Sequence, residues 1–212
     1  MSWFITGTDT GVGKTHATSL LLRALNAAGR PALGFKPIAC GDRMDADILR
    51  QSGADPSLPL DAINPVFFRV PAAPMAAAMI ENRPADLNAV RAGFRALQEK
   101  AETILVEGAG GWAVPITPDY SMADLAAELG LPVIVVVNNR LGALNHTLLT
   151  VQAIQARGLR CHGLILNHVA DERDSASISN RILLQQLLPA VPVLCEVMHG
   201  EETLDESALE VL

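Results

Sequence analysis

The residues with the clearest chemical purpose lie near the start of the chain. Phe4-Ile5-Thr6 is a short strand-like run leading into Gly7-Thr8-Asp9-Thr10-Gly11-Val12-Gly13-Lys14-Thr15, and an apolar helical pattern follows. Glycines in such a turn let backbone N–H groups close around phosphate oxygens. Lys14 adds a point charge, and Thr15 offers a hydroxyl to Mg²⁺ at the helix N-terminus. Five residues separate Gly7 from Gly13, one more than the standard loop allows, so this phosphate loop is a variant.

Further candidates stand at the ends of other apolar runs. Lys36, in Gly34-Phe35-Lys36-Pro37, is flanked by apolar residues and followed by a proline that stiffens the exit, which favours an ammonium held toward a ligand over a solvated one. Asp42, Asp45 and Asp47 follow where a helix begins. They either favour that helix N-terminus or supply a carboxylate to Mg²⁺, and the sequence does not choose among the three. Ile104-Leu105-Val106 ends in Glu107, with Gly108, Gly110 and Gly111 close behind. A carboxylate at such a place needs a cationic partner, and the glycines permit close approach of a ligand. Val137 to His146 passes from a strand to a helix whose N-terminus could take a carboxylate. His146 there is a catalytic candidate or a packing residue. Asn167 closes Leu164-Ile165-Leu166, where its amide reads a base edge or satisfies loop backbone.

These residues need a scaffold that gathers strand ends. Strand-like runs at Trp3 to Thr6, Ala32 to Lys36, Thr103 to Val106, Pro132 to Val137, Gly163 to Leu166 and Pro192 to Cys195 are continuously apolar, as strands buried on both faces should be. Helical spacing recurs between them. The alternation predicts an α/β fold with a mainly parallel sheet, helices on both faces and ligands beyond the strands' carboxyl ends. Asp86-Leu87 reads as a helix entry, and the Pro-rich stretch from Gly53 to Pro74 as a long surface loop.

At 212 residues, half of them apolar, the chain suits one domain over 1–212. A net charge of −7 argues against a nucleic-acid surface and for a small-molecule partner. Cys40, Cys161 and Cys195 form no CxxC pair, which fits a reducing cytosol. No secretory signal is visible, and the longest apolar run, Leu131 to Val137, is too short to span a bilayer. A soluble, cytoplasmic protein that does not bind membranes is expected.

Gly7 to Thr15, Gly34 to Pro37, Val106-Glu107-Gly108-Ala109-Gly110-Gly111-Trp112, Leu141-Gly142-Ala143-Leu144-Asn145-His146 and Asn167 together resemble the dethiobiotin synthetases in order and spacing, along nearly the whole chain. The resemblance implies the P-loop NTPase type of fold, a homodimer, Mg²⁺ as cofactor and ATP as co-substrate. It further implies a biotin-pathway reaction in which 7,8-diaminononanoate and CO₂ form a carbamate, ATP phosphorylates it, and the second amine closes the ring. Carried over by position, Lys14 and Lys36 are catalytic, and Thr15, Asp47 and Glu107 hold the metal. Gly11, Val12, Gly13, His16, Gly108, Ala109 and Gly110 line the nucleotide, with Asn167, His168, Val197, Met198 and His199 on the adenine side. Thr10, Cys40, Gly111 and Asn145 contact the diamine, Asn145 from the neighbouring subunit. Cys40 stands where the family usually has Ser, Met198 where Pro is common, and Arg140 where Lys is frequent.

Two rival readings belong beside this one. A regulatory or partitioning P-loop ATPase typically carries an extra lysine early in the loop, where this chain has Thr8, Asp9 and Thr10. A glutaminase-linked ligase such as a cobyrinic acid synthase needs a further domain for which 212 residues leave no room.

Overall fold

Val133 to Val137 and Leu164 to Leu166 are apolar at consecutive positions, and in the computed structural model every one of them is fully buried. Residues 2–172 and 174–204 are described. Side chains of successive strand residues point to opposite faces, so continuous burial means that both faces of the sheet are covered.

In chain order the elements are β1 (Trp3–Gly7), α1 (Lys14–Ala27), β2 (Ala32–Phe35), β3 (Ile38–Cys40), α2 (Met44–Ser52), α3 (Leu60–Ile63), β4 (Val66–Phe68), α4 (Pro74–Ile80) and α5 (Leu87–Gln98). There follow β5 (Thr103–Gly111), β6 (Pro115–Thr117), β7 (Tyr120–Ser121), α6 (Met122–Leu129), β8 (Val133–Asn138), α7 (Ala143–Ala156), β9 (Cys161–Asn167), α8 (Ser175–Leu187) and β10 (Val193–Val197). Six strands form one sheet in the order β10-β9-β8-β1-β5-β2, and every pairing in it is parallel. β1 lies inside the sheet, between β8 and β5, so the loop that leaves it emerges among the carboxyl ends of its neighbours.

The predicted strands and the α/β architecture are present. Asp86 caps α5 by accepting from the Ala89 N–H at 2.9 Å, as the sequence suggests. The stretch read as a bare loop from Gly53 to Pro74 instead contains α3 and β4, with β4 paired parallel to β3. Elements of three or four residues are too short to show a period. β5 also continues through the glycines to Gly111, past Val106, where the apolar run ends. Its register against β1 shifts between Ile5 and Gly7, which lets the extended strand follow the phosphate loop.

Candidate active site

The loop between β1 and α1 is shaped by glycines with specific duties. Gly13 precedes α1 in the left-handed region at φ 83°, with no side chain capping the helix, so the first N–H groups of α1 have no side-chain acceptor. A Cβ at Gly13 would stand 2.0 Å from Asn167 Nδ2, at a φ that other residues rarely adopt, so a side chain there would be strained and would displace that amide. That amide donates to the Val12 carbonyl at 2.9 Å, tying the end of β9 to the loop. Lys14 is buried, and its Nζ reaches the Asp9 carbonyl at 3.3 Å. Burial holds its ammonium below the usual lysine range, with Glu107 opposing and Lys36 adding to the effect.

Beside the loop lies a charge cluster drawn from two strands, β2 and β5, and two helices, α1 and α2. Lys36, the first residue beyond β2, places Nζ 2.5 Å from Glu107 Oε1 and 2.7 Å from Asp45 Oδ2. Thr15 donates its hydroxyl to the same Glu107 oxygen at 2.8 Å. Burial alone would lower the Lys36 ammonium, yet the Glu107 and Asp45 carboxylates outweigh it and hold it above the usual range. Asp45 is pulled down for the converse reason. Burial raises it, and Lys36, helped by Thr15, prevails. A fully buried Glu107 is tolerable because Lys36 compensates it, and removing one partner of such a pair costs on the order of 3–5 kcal/mol.

Two adjoining cavities meet at this cluster. One of about 320 Å³ is lined by Thr10, Gly11, Gly13, Lys14, Thr15 and His16, together with Lys36, Asp45 and Gly110. The other, about 510 Å³, shares Thr10, Lys36, Asp45 and Gly110 and extends past Cys40, Pro71 to Pro74, Ala109 and Val114. Gly111 faces a third, more open hollow beside Trp112, Thr150 and Ala153. Burial, seconded by Glu81, pushes the Cys40 thiol up to about 11, so it presents a neutral SH.

Of the aspartates offered by the sequence, the structure brings Asp45, and not Asp47, to the Lys36–Glu107 cluster. Asp47 pairs with Arg50 at 2.5 Å and lines neither of the two adjoining cavities, whereas Asp45 lines both. The helix period gives the reason. Asp45 shares a face with Leu49 four residues on, and Leu49 is fully buried, while Asp47 shares one with Arg50. That signal was available in the sequence. Gly108 is buried in β5, where a Cβ would meet the Phe4 ring at 3.1 Å, so it serves packing. Val12 is buried as well, and only its carbonyl is engaged. Asn145 and His146 are exposed on the first turn of α7 and line neither of the two adjoining cavities.

The adenine-side candidates gather at the ends of β9 and β10, outside the two cavities. The His168 N–H bonds the Val197 carbonyl at 2.8 Å, while its buried ring meets Glu196 at 2.6 Å and Asn139 at 3.2 Å. The Met198 N–H donates to Glu201 at 2.7 Å, and His199 Nδ1 lies 2.8 Å from the Val169 carbonyl.

The cluster fits a hard divalent cation. Glu107 Oε2 is buried without a hydrogen-bond partner, and the neighbouring donors, the Thr15 hydroxyl and the Asp45 carboxylate, are oxygens of the kind Mg²⁺ prefers. Among the described residues no group of three or more His, Cys, Asp or Glu could enclose a metal. Mg²⁺ at a nucleotide needs only one or two carboxylates besides phosphate oxygens and water.

Comparison with known proteins places this geometry in a family. A family model described as an AAA domain matches residues 2–206. The ATP-dependent dethiobiotin synthetase BioD of Akkermansia muciniphila is 45% identical over 98% of this chain and 97% of its own. The chain belongs to the ATP-dependent dethiobiotin synthetase family. A second member, from Serratia marcescens, is 41% identical over 88% of this chain and 86% of its own. Family membership makes the chain an enzyme, an ATP-using ligase of biotin biosynthesis. Solved structures show the fold alone. Chloroplast FtsY from Physcomitrella patens superposes with a TM-score of 0.54 at 18% identity, over 99% of this chain and 64% of that one. MinD from Pyrococcus horikoshii, complexed with Mg-ADP, gives 0.52 at 20% identity, over 100% and 87%. A shared fold does not fix a function, so the dethiobiotin synthetase assignment rests on the sequence relatives and not on these likenesses. No described helix is long and apolar enough to cross a membrane.

Proposed function

We propose that this family member closes a ureido ring on 7,8-diaminononanoate, using CO₂ and ATP and requiring Mg²⁺, to give dethiobiotin, ADP and phosphate. The observation that carries the reading is the placement of Lys36 Nζ, held by Asp45 and Glu107 where the two cavities join. One amine of the diamine attacks CO₂ and loses a proton to give a carbamate. A carbamate oxygen then takes the γ-phosphoryl group and ADP leaves. The second amine attacks the carbonyl of the mixed anhydride, and phosphate departs as the ring closes.

The protein supplies position and charge instead of covalent chemistry. Lys14 and the N–H groups of Gly11 to His16 hold the phosphates. Lys36 neutralises the carbamate and then the phosphoryl oxygens in transfer, a role suited to a lysine whose charge its neighbours protect. Thr15, Asp45 and Glu107 would hold Mg²⁺, which when bound offsets charge on the β- and γ-phosphates. Thr10, Cys40, Ala109, Gly110 and Gly111 contact the diamine. Asn167 and the segment Val197 to His199 receive the adenine. In a homodimer Asn145, exposed at the start of α7, reaches the substrate of the neighbouring subunit. We place the reaction in the cytoplasm.

The test is incubation with 7,8-diaminononanoate, ATP, Mg²⁺ and labelled bicarbonate. Acid-stable label in dethiobiotin should appear in step with phosphate. ATP binding without diamine-dependent label would overturn the reading.

A further inference from the structure

Lys36 is the first residue past the hydrogen-bonded end of β2, whose register against β5 stops at Phe35 opposite Val106. Beyond that point the sheet no longer fixes its backbone. Two bonds from elsewhere do so. The Lys36 N–H donates to the Ile63 carbonyl at 2.8 Å, and the Lys36 carbonyl accepts from Asn64 Nδ2 at 2.8 Å. Pro37 and Pro65, next to these two residues, lack the N–H that could substitute.

Asn64 is 1% exposed, lines neither adjoining cavity, and has both ends of its amide engaged. Nδ2 also donates to the Val66 carbonyl at 2.9 Å, and Oδ1 accepts from Arg43 Nε at 3.0 Å. Arg43 is fixed in turn. It donates through Nη2 to the Asn64 carbonyl at 2.8 Å, pairs with Asp61 at 2.7 Å and lies over the Phe67 ring. A buried amide satisfied in this way has one orientation.

We propose that Asn64, oriented by Arg43, is a positioning residue for Lys36, fixing the backbone from which the ammonium reaches Asp45 and Glu107. The proposal rests on the role given to Lys36 above. Without the amide, the Lys36–Pro37 peptide loses its anchor on the carbonyl side and the ammonium shifts. A displacement of about 1 Å at such a site costs up to roughly a hundredfold in rate.

The experiment pairs kinetics with a direct view of the lysine. The chain has three lysines, Lys14, Lys36 and Lys100, so ¹⁵N-lysine labelling gives a side-chain NMR spectrum that single substitutions assign. Asn64→Ala should lower turnover at saturating substrate about tenfold, leave the nucleotide Kd within about twofold, and move the Lys36 signal while that of Lys100 stays. In a Lys36→Ala background the same substitution should cost nothing further, because the two residues act as one unit. Equal loss in that background, or an unmoved Lys36 signal, overturns the proposal. Should Asn64→Ala fail to fold, Arg43→Gln carries the same test, with a loss of about threefold. If the unmodified enzyme forms no dethiobiotin yet the Lys36 signal still moves, the reaction assigned above fails and the positioning role stands.

Discussion

Two clusters of buried polar residues sit at the carboxyl end of the same sheet, and they differ in how their hydrogen bonds are spent. Around the ends of β1 and β2 and within β5, Glu107 keeps an oxygen with no partner, and α1 begins without a side-chain cap. Beyond β8, β9 and β10 the groups consume one another. The Asn139 amide spans His168, the Ser177 carbonyl and Glu196 at 3.2, 3.0 and 3.1 Å, and Asn180 donates back to it at 2.9 Å. Buried polar groups are costly unless paired. The first cluster thus keeps the capacity that the proposed ligand would take up, whereas the hydrogen bonds of the second tie β8, β9, β10 and α8 together.

If that contrast is right, substitutions in the first cluster should cost turnover per folded molecule, beyond any stability lost when a buried charge is left unpaired, and those in the second should cost stability alone. The largest effect belongs to Lys36→Ala, expected to lower turnover by about two to three orders of magnitude while nucleotide affinity is kept. Steady-state kinetics beside equilibrium nucleotide titration separates the two. Near-normal turnover would break the comparison at its centre. Next comes the aspartate pair. Asp45→Asn removes a partner of Lys36 and should cost turnover about tenfold or more, whereas Asp47→Asn only loosens a surface pair with Arg50 and should stay within about twofold. Reversal of that order would restore Asp47 to the site.

That pair also shows where sequence reading stops. The phosphate loop, Lys36 and Glu107 were legible because each follows an apolar run, and the parallel fold guarantees that such ends converge. The choice among Asp42, Asp45 and Asp47 turns on one rotation along α2, which the buried Leu49 reveals once the helix phase is applied. Asn64 and Arg43 were not legible. Asn64 lies between elements of three or four residues and Arg43 just ahead of α2, and the role proposed for them comes from contacts distant in sequence. Nor could pattern alone distinguish His168 as a strut from His168 as a nucleotide contact, because both roles place a histidine after β9.

The second cluster should answer in a different quantity. Asn139→Leu leaves Asn180 and Glu196 each short of a partner, and the loss of stability should be about 2–3 kcal/mol. Denaturant unfolding measures it, and turnover per folded molecule should change little. A collapse of turnover in protein that is still folded would mean that this cluster takes part in chemistry.

The smallest effect separates location from charge. Cys40 lines the larger cavity, yet its thiol, pushed up to about 11, carries no charge at neutral pH and is a weak donor. Cys40→Ser exchanges it for a hydroxyl of similar size. The KM for the diamine should move by about threefold at most, and kcat should hold. Since neither side chain ionises between about pH 7 and 9, the rate profiles of the two proteins should superpose across that range. An alkaline limb present with Cys40 and absent with serine would show that the thiol ionises during turnover. Neutral cavity walls would then have to be counted with the charged cluster instead of beside it.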